Sequence, residues 1–556
     1  MFEKNLAAMN NPTLKRRLEK ISPIESRVGV SYCVTPSGDY VLLKNDVPAD
    51  DLNNPREAIK KMLSSNIKSE MKSNDIIVVF GIGLGYILDE VFSAYPSKIY
   101  LYEPDLNLLH FVLNNVDISE HLASGRVFVS NDMNEIVDKV SSSYLTKDKV
   151  EIVYLQNYAL VKNKELLLLT QKVYDACKSK LVDVNTINRF SKVWMENSIE
   201  NIATVNNGTA YKLSDLAGRF IGQTALIAGA GPSLNDNISN IQANRNKFVI
   251  FVVNKSVKYL LQNGITPDFV VCLDARNMVN TLGGFNDQLS KSNCIMDIRS
   301  DKAINSLGFG KIFVNFAETD FFAQKLAEYH NDLKFYESGG TAASLALTAA
   351  VKLGFSKIVL TGVDLAFKDN TVYANGEMMN RVSQEEIIVD NVKKPLIKVR
   401  SVNNDMVYSR GDYEAFVHHF EELIKSLNYS EIYNTTSFGA YIEGVKNVSF
   451  EDLNLFADAT LSPLKDVQPF KFELKEFMQD EFCHINEIIS MLSKGVFSPA
   501  LVNSIVKSVL IYQYMQTHIL KVLQQDFAPD LAEDFINKTK AAIKSVVEEL
   551  QRTKLI

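Results

Sequence analysis

The sequence contains no uninterrupted apolar stretch that approaches the roughly 18 residues of a membrane span. Its first residues, MFEKNLAAMNNPTLKRRLEK, also lack the apolar core that a cleavable signal peptide needs. These two absences argue against membrane insertion and against secretion through a cleaved signal. We therefore expect a cytoplasmic protein.

Cysteine is also scarce. The five cysteines are Cys33, Cys177, Cys272, Cys294 and Cys483, and none are paired at the spacing of metal ligands. Their odd number does not suggest a disulfide framework, which agrees with a reducing cytosol. The formal net charge of -7 disfavours long-range attraction to nucleic acid phosphates, so we expect no nucleic acid partner.

The order of the apolar segments predicts an α/β protein of several domains. At about 100–200 residues per domain, a chain of 556 residues suggests about three domains. We predict a β-hairpin layer plus a Rossmann-like domain over 1–205 and a second α/β domain over 206–466. From 467 to 556 the apolar residues recur at three-and-four spacing, which predicts a helical domain. The fold class is thus two Rossmann-like parallel-sheet regions followed by a C-terminal helical bundle.

The N-terminal region opens with strands at Tyr32 to Thr35 and Tyr40 to Lys44, and we predict a helix from Pro55 to Lys72. The strand IIVVF then leads into the turn GIGLG, and the strand after the next helix ends in an acid. Gly81, Gly83 and Gly85 could let a nucleotide approach the backbone, and Glu103 could hold a ribose. The alternative is a purely structural turn.

A second glycine turn, Gly229-Ala230-Gly231-Pro232-Ser233, follows the strand TALIA directly. Backbone N–H groups at the carboxyl end of a parallel strand are where ligands bind in open α/β sheets. Asn254 and Asp274 end the next two strands, so we expect both side chains in the same crevice. The alternative is a tight turn with a capping serine and a buried asparagine.

Further candidates follow in the same region. We predict a strand at KFYE, and after it the segment Ser338-Gly339-Gly340-Thr341 precedes a helix whose N-terminus would face the crevice. Tyr373 lies a few residues beyond the next strand. His418 and His419, in a predicted helix that follows Arg410, form the histidine pair of the α/β region. We retain them as base candidates beside the commoner case of a solvated histidine.

Several motifs, taken in order, resemble the motility-associated factor (Maf) flagellin glycosyltransferases. They are LIAGAGPSLNDNI, VVNKSVKYLLQNGITPDFVVCLDA, SGGTAASLALTAAVKLGFSKIVLTGVDLAF with TVYAN, FGIGLGYILDEV, RFSKVWMENSIENI and IYNTTSFGAYIEG. The resemblance covers most of residues 75 to 445. In the last motif the family usually has an acid and two glycines, where this chain has Ser437, Phe438 and Gly439.

The central motifs are also similar to bacterial sialyltransferases that use CMP-sialic acid. That resemblance implies nucleotide contacts from the loop Gly229 to Ser233 and from Asn254, and donor contacts from Ser338 and Gly339. Two tyrosines contact the leaving phosphate in those enzymes. Tyr373 matches one of them, and the other would fall near Ala366 or Phe367. The chain departs from the pattern at that contact.

The resemblance implies transfer of a nonulosonic acid, of the pseudaminic or legionaminic type, from a CMP donor to Ser or Thr of flagellin, for flagellar assembly and motility. No tightly bound cofactor is expected. A CMP monophosphate donor needs less charge neutralisation than a sugar diphosphate, so this reasoning does not require a metal. The alternatives are an S-adenosylmethionine-dependent methyltransferase built on Gly81 to Glu103, a pterin diphosphokinase sharing the G-x-G-P-S-L domain, and a non-catalytic flagellin chaperone.

Overall fold

The computed structural model describes residues 1–555 except 69, 145–147, 369–370, 375, 377–382, 384–385, 390–391, 454, 456–463 and 525–526. The chain divides into two compact units, Met1–Asn188 and Arg189–Ile556. Both contain a parallel sheet with helices, and helices dominate the end of the chain, so the predicted fold class is confirmed. The domain limits at 205 and 466 stay predictions.

The first unit contains one antiparallel and one parallel sheet. Its strands are β1 (Val30–Val34), β2 (Tyr40–Lys44), β3 (Val47–Pro48), β4 (Ile76–Phe80), β5 (Lys98–Tyr102), β6 (Val127–Ser130) and β7 (Val150–Tyr154). Strands β1, β2 and β3 form the predicted hairpin layer. The parallel sheet has the order β6-β5-β4-β7. All five side chains of β4 are buried because helices cover both faces of a central parallel strand.

Short helices connect these strands. They are α1 (Phe2–Ala8), α2 (Pro12–Leu18), α3 (Pro55–Asn66), α4 (Tyr86–Ala94), α5 (Leu106–Asn115), α6 (Ser119–Ala123), α7 (Met133–Ser143) and α8 (Gln156–Val161). The long helix α9 (Asn163–Asn206) begins in this unit and ends in the next. Helix α3 starts at the predicted Pro55 but ends at Asn66, before the predicted Lys72. The Lys72 N–H instead donates to Asp75 Oδ2 at 2.7 Å, in a turn that leads into β4.

The second unit is built on a nine-stranded parallel sheet. The strands of the unit, including three that lie outside this sheet, are β8 (Ala210–Lys212), β9 (Thr224–Ala228), β10 (Val249–Val253), β11 (Phe269–Cys272), β12 (Asn293–Asp297), β13 (Ile312–Asn315), β14 (Lys357–Thr361), β15 (Glu386–Val389), β16 (Val392–Arg400), β17 (Met406–Arg410), β18 (Ile432–Asn434) and β19 (Lys446–Asn447). The order is β19-β18-β14-β9-β10-β11-β12-β13-β8, while β15, β16 and β17 form a separate antiparallel sheet. The chain order reverses between β14 and β10 on either side of β9, and ligands bind at such a reversal in open α/β sheets.

Eleven helices lie wholly within the described part of this unit. They are α10 (Ser233–Ala243), α11 (Val257–Gln262), α12 (Met278–Leu282), α13 (Asn286–Leu289), α14 (Phe321–Tyr329), α15 (Ala342–Leu353), α16 (Gly411–Leu427), α17 (Lys475–Ser493), α18 (Pro499–Lys507), α19 (Val509–Gln524) and α20 (Ala532–Arg552). The last four form the predicted C-terminal helical region, and their apolar residues belong to the same core as one face of the sheet. Among the described residues, no helix combines the length and the apolar character needed to cross a membrane.

The strand predicted at KFYE is wrong. Residues 334–337 have no regular structure and make one backbone hydrogen bond to the strand region, from Tyr336 N to Phe316 O at 3.1 Å. The place beside β13 is taken by β8, whose Ala210 to Lys212 pair in parallel with Ile312 to Val314. Because β8 already forms the backbone hydrogen bonds along that edge of β13, residues 334–337 cross the carboxyl end of the sheet as a loop.

Candidate functional site

A cleft of about 330 Å³ opens at the carboxyl edge of the nine-stranded sheet, beside the reversal at β9. Its walls come from the ends of β9, β10, β11 and β14, the N-terminus of α15 and the first turns of α16. The predicted residues that line it are Gly229, Gly231, Asn254, Asp274, Gly340, Thr341 and Tyr373. Strands far apart in sequence therefore bring seven of the predicted side chains or backbones into one cavity.

The residues packed behind the loop leave no room for a side chain at Gly229 or Gly231. A Cβ on Gly229 would collide with the Gly362 carbonyl, and a Cβ on Gly231 would collide with the Asp364 carboxylate. The N–H groups of both glycines donate to carbonyls of the β14 end, at 2.8 Å to Thr361 and 2.7 Å to Gly362. The loop is thus packed against the end of β14 with no room for a side chain, while its other side faces the cleft.

Ser233 lies behind this loop rather than in the cleft. Its backbone N–H donates to Asp364 Oδ2 at 2.9 Å, its hydroxyl donates to Asp364 Oδ1, and the Gly362 N–H donates to the same hydroxyl at 3.0 Å. Burial raises the pKa of Asp364 in spite of these bonds. Pro232 is also buried and is absent from the cleft lining.

Asn254 and Asp274 are hydrogen-bonded to each other at the carboxyl ends of β10 and β11. The Asn254 side chain is buried, and its Nδ2 donates to Asp274 Oδ2 at 2.8 Å. Asp274 itself is exposed. The buried amide therefore holds an accessible carboxylate at the cleft, as two successive strand ends predicted.

The segment from Ser338 to Thr341 forms the N-terminus of α15. Thr341 is the N-cap and accepts from the Ser344 N–H at 3.0 Å in a capping box. Gly339 and Gly340 have φ of +50° and +79°, which favour glycine. Gly340 and Thr341 line the cleft, whereas Ser338 is buried and accepts from the Ser344 hydroxyl through its carbonyl. Ser338 and Gly339 thus support the turn from behind.

Tyr373 is hydrogen-bonded to a lysine of the cleft wall. The Lys255 ammonium donates to the Tyr373 hydroxyl at 3.0 Å and lies 5.1 Å from the centre of its ring. Burial lowers the pKa of Lys255, but the Tyr373 oxygen and Asp274 raise it more, so the net pKa lies above its ordinary value. Lys255 is therefore a cation at neutral pH, beside the hydroxyl that was predicted to be catalytic.

Sequence reasoning missed Tyr413, and it treated Arg410 only as the residue before a helix. Arg410 ends β17, Tyr413 lies in the first turn of α16, and the Arg410 Cζ stands 4.0 Å above the Tyr413 ring. Both line the cleft. Burial raises the pKa of Tyr413, opposed by Arg410 and reinforced by Tyr373, so its hydroxyl remains a hydrogen-bond donor at neutral pH. An Arg-x-x-Tyr pattern at a strand-to-helix junction was the available signal.

The two histidines lie on different sides of α16. The His418 side chain is 64% exposed, with its Nδ1 at 3.4 Å from Glu421 Oε2. The His419 Nδ1 is buried without a hydrogen-bond partner among the described residues, and it lies 3.8 Å from where a Cβ on Gly340 would be. Of the pair, only His419 adjoins a residue of the cleft lining.

The glycine turn of the first unit is packed by its own chain. Gly81, Gly83 and Gly85 have φ of +87°, +53° and +87°, so the turn needs glycine for its backbone shape. Glu103 is fully buried, with Oε2 accepting from the Ile82 N–H at 3.0 Å and Oε1 accepting from the Asp105 N–H at 2.9 Å. A Cβ on Gly83 would lie 2.8 Å from Asp50 Oδ2. Nucleotide binding at this turn stays a prediction.

Within the described ranges, no group of three His, Cys, Asp or Glu side chains could hold a metal ion. Parts of the chain match known proteins. Residues 196–370 match the family model described as 6-hydroxymethylpterin diphosphokinase MptE-like. An uncharacterized protein of Treponema pallidum (strain Nichols) is 32% identical over 85 residues, which are 15% of this chain and 39% of that protein. The chain therefore spans less than half the length of this relative.

The solved structure of the MAf glycosyltransferase from Magnetospirillum magneticum AMB-1 has the same fold. The match has a TM-score of 0.67 at 16% sequence identity and covers 100% of this chain and 96% of that one. At this identity the likeness establishes the fold. The fold that the motif resemblance implied is thereby confirmed over the whole chain.

Proposed function

We propose that this protein is a glycosyltransferase that moves a nonulosonic acid from a CMP donor to a Ser or Thr hydroxyl of flagellin. The observation that carries the proposal is the convergence of Gly231, Asn254, Gly340 and Tyr373 on one cleft at the strand-order reversal. The shared fold with a protein titled as a MAf glycosyltransferase supports the reaction class. The motif resemblance supports the donor and the acceptor.

The cleft suits a donor that carries a phosphate. The N-terminus of α15 presents the positive end of its helix dipole to the cleft, whereas the N–H groups of Gly229 and Gly231 are bonded to the end of β14. The Tyr373 hydroxyl and the Lys255 ammonium lie 3.0 Å apart at the same cavity. Asn254 and Asp274 offer one bonded amide–carboxylate pair, which suits the polar edge of a base or a ribose. These groups would orient the nucleotide and leave the sugar toward the opening.

The transfer breaks the bond between the anomeric carbon and the phosphate oxygen, and the electron pair stays on that oxygen. The flagellin hydroxyl oxygen forms the new bond to the anomeric carbon, and its proton passes to a base. His419 is the base candidate that adjoins the cleft, because its buried Nδ1 is unpartnered in the described structure and lies near Gly340. Hydrogen-bond donors at the departing phosphate lower the barrier because the charge there grows in the transition state.

Nucleotide titration tests the donor class. Calorimetry with CMP, CTP, ATP and S-adenosylmethionine should show the tightest binding for CMP. ATP preference together with pterin binding would favour the diphosphokinase alternative suggested by the match over 196–370. S-adenosylmethionine binding would favour the methyltransferase alternative at Gly81 to Glu103.

Intact mass tests the reaction. Flagellin from cells that contain the protein should be heavier by whole nonulosonic acid units than flagellin from cells without it, and a His419→Ala variant should not restore the mass. Unmodified flagellin in both strains would contradict the transfer. If such flagellin also became insoluble without the protein, the non-catalytic chaperone alternative would be favoured.

A further inference from the structure

The cleft contains the ammonium of Lys255, which is close enough to Asp274 for that acid to raise its pKa but forms no ion pair with it. Within the part of the chain that the structure describes, no carboxylate lies within ion-pair distance of Lys255, and its hydrogen bond goes to the Tyr373 hydroxyl. Two nearby acids have other hydrogen-bond or ion-pair partners. Asp274 accepts from Asn254, and the Asp412 carboxylate lies 2.7 Å from Arg410 Nε and 3.0 Å from Lys394 Nζ.

Tyr413 packs against Phe367, one of the two positions at which the sequence pattern lacks a tyrosine. The resemblance to sialyltransferases expected a tyrosine near Ala366 or Phe367, and Phe367 is buried. Its ring packs against the ring of Tyr413, with the centroids 5.6 Å apart. Tyr413 comes from α16, in a different part of the chain, yet it lines the same cleft as Tyr373.

We propose that Lys255 and Tyr413 bind the phosphate of the donor and stabilise the charge that develops on it as the sugar departs. Lys255 supplies the cation, and Tyr413 replaces the tyrosine that is missing near position 366. This inference rests on the proposed function, because it takes a nucleotide-activated sugar as the ligand of the cleft.

The charge change during the reaction explains why a lysine is useful here. The bound donor has a phosphodiester with one negative charge. When the bond between the anomeric carbon and the phosphate oxygen breaks, both electrons stay on the oxygen, and the product is a phosphomonoester with two negative charges. An ammonium and two hydroxyl donors around this oxygen stabilise the product charge more than the substrate charge. No metal or other co-reactant is needed for this balance.

Comparison of CMP with cytidine tests the assignment, because the two ligands differ only in the phosphate. We expect wild type to bind CMP more tightly than cytidine, and Lys255→Met to weaken CMP binding about 10- to 100-fold while leaving cytidine binding unchanged. Lys255→Arg should retain most of the preference. The matched control is Lys258→Met in α11, because Lys258 donates to the Asn280 carbonyl and is absent from the cleft lining. An equal loss for both ligands in Lys255→Met would overturn the role of Lys255.

Tyr413→Phe is tested by turnover. It should lower the kcat of donor cleavage at least tenfold with a smaller change in donor KM, and the control Tyr433→Phe, whose hydroxyl donates to Glu431, should change neither. A lowered thermal stability with unchanged kcat would assign Tyr413 a packing role and overturn that half of the proposal.

If wild type bound neither CMP nor cytidine, the proposed function would fail on its own. The anion site would then be tested with inorganic pyrophosphate. Binding by wild type that is lost in Lys255→Met but kept in Lys258→Met would preserve Lys255 as an anion-binding residue. Equal binding by all three proteins, or none by wild type, would overturn it.

Discussion

Ser233 and Asp364 are 131 positions apart, and their side chains are joined by a hydrogen bond behind the glycine loop of the cleft. The Ser233 N–H also donates to Asp364 Oδ2 at 2.9 Å. The serine of the G-x-G-P-S-L motif thus ties the start of α10 to the end of β14. Its place in the motif is explained by this tie, which keeps Gly229 and Gly231 at the cleft wall.

Ser233→Ala should therefore act first on stability. The substitution leaves the Gly362 N–H and Asp364 Oδ1 without this partner in a dry environment, which costs about 1–3 kcal/mol of unfolding free energy. Urea denaturation measures the change. Ser239→Ala, on the exposed side of the same helix, is the control and should change little. If the two variants were equally stable, the Ser233–Asp364 pair would contribute nothing to the fold.

Asn254→Ala should weaken CMP binding. The Nδ2 of Asn254 fixes the Asp274 carboxylate, and loss of one hydrogen-bonding group in the site costs about 1–3 kcal/mol of binding free energy. Calorimetry with CMP measures it. Asn280→Ala, an exposed asparagine of α12, is the control and should bind CMP as wild type does. Unchanged affinity in Asn254→Ala would move the nucleotide away from β10 and β11.

Tyr373→Phe should lower turnover far more than donor binding. Its hydroxyl, held by Lys255, is needed most when charge builds on the leaving phosphate, and loss of one such donor lowers kcat by on the order of 10²-fold. Steady-state kinetics with a CMP-activated sugar separates kcat from KM. Tyr429→Phe removes a hydroxyl that donates to the Phe355 carbonyl outside the cleft, so its kcat should stay close to wild type. If Tyr373→Phe lowered kcat and raised KM by the same factor, Tyr373 would only position the donor.

Much of this cleft was visible in the sequence because parallel strands end at one edge of a sheet. Gly229, Asn254 and Asp274 each follow an apolar run. Their convergence could be predicted from the parallel order of the strands alone, without knowing which strands are neighbours. Lys255 was not predicted, because a lysine next to a strand end has no distinctive pattern. Tyr413 was not predicted because its position depends on β15, β16 and β17, which place the start of α16 at the cleft.

The antiparallel sheet itself escaped prediction for a physical reason. The segment VKKPLIKVR in β16 mixes lysines, an arginine and a proline with branched residues, so it lacks the apolar run that identified the buried parallel strands. The edge strands β8 and β19 are only 3 and 2 residues long, and such short segments show no measurable period. Long, fully buried strands such as β9 and β10 were found from composition alone.

Asp50 of the first unit is a buried acid with no function in the proposed reaction. Its residue surface is 6% exposed, and it lies beside Gly83 in the wall of a cavity of about 90 Å³. Within the described residues its carboxyl group has no hydrogen-bond donor, so burial raises its pKa to about 7, with a further contribution from Asp51. The folded unit therefore holds a neutral Asp50 under mildly acidic conditions.

This shift predicts that the first unit loses stability as the pH rises. In the unfolded chain Asp50 ionises near its ordinary pKa of 3.8, whereas the folded state retains the proton to about pH 7. Its contribution is thus fully present below about pH 4 and is lost as the pH rises to about 7, with an upper limit on the order of 4 kcal/mol for a shift of about three units. Asp50→Asn keeps the shape and cannot ionise. It should melt at a higher temperature than wild type at pH 8, and the difference should shrink toward pH 5.

Glu25→Gln is the matched control because this acid of the same unit has the opposite shift. The backbone N–H and the hydroxyl of Ser22 lower the pKa of Glu25, so its contribution changes only below its ordinary pKa of 4.5 and its melting curve between pH 5 and pH 8 should run parallel to wild type. In the second unit burial also raises the pKa of Glu481 to about 7 and that of Asp320 to about 6, so the melting temperature of wild type alone would mix these groups with Asp50. The difference between wild type and Asp50→Asn isolates Asp50, and hydrogen exchange of β4 amides locates the effect in the first unit. If that difference were constant from pH 5 to pH 8, Asp50 would not titrate in this range.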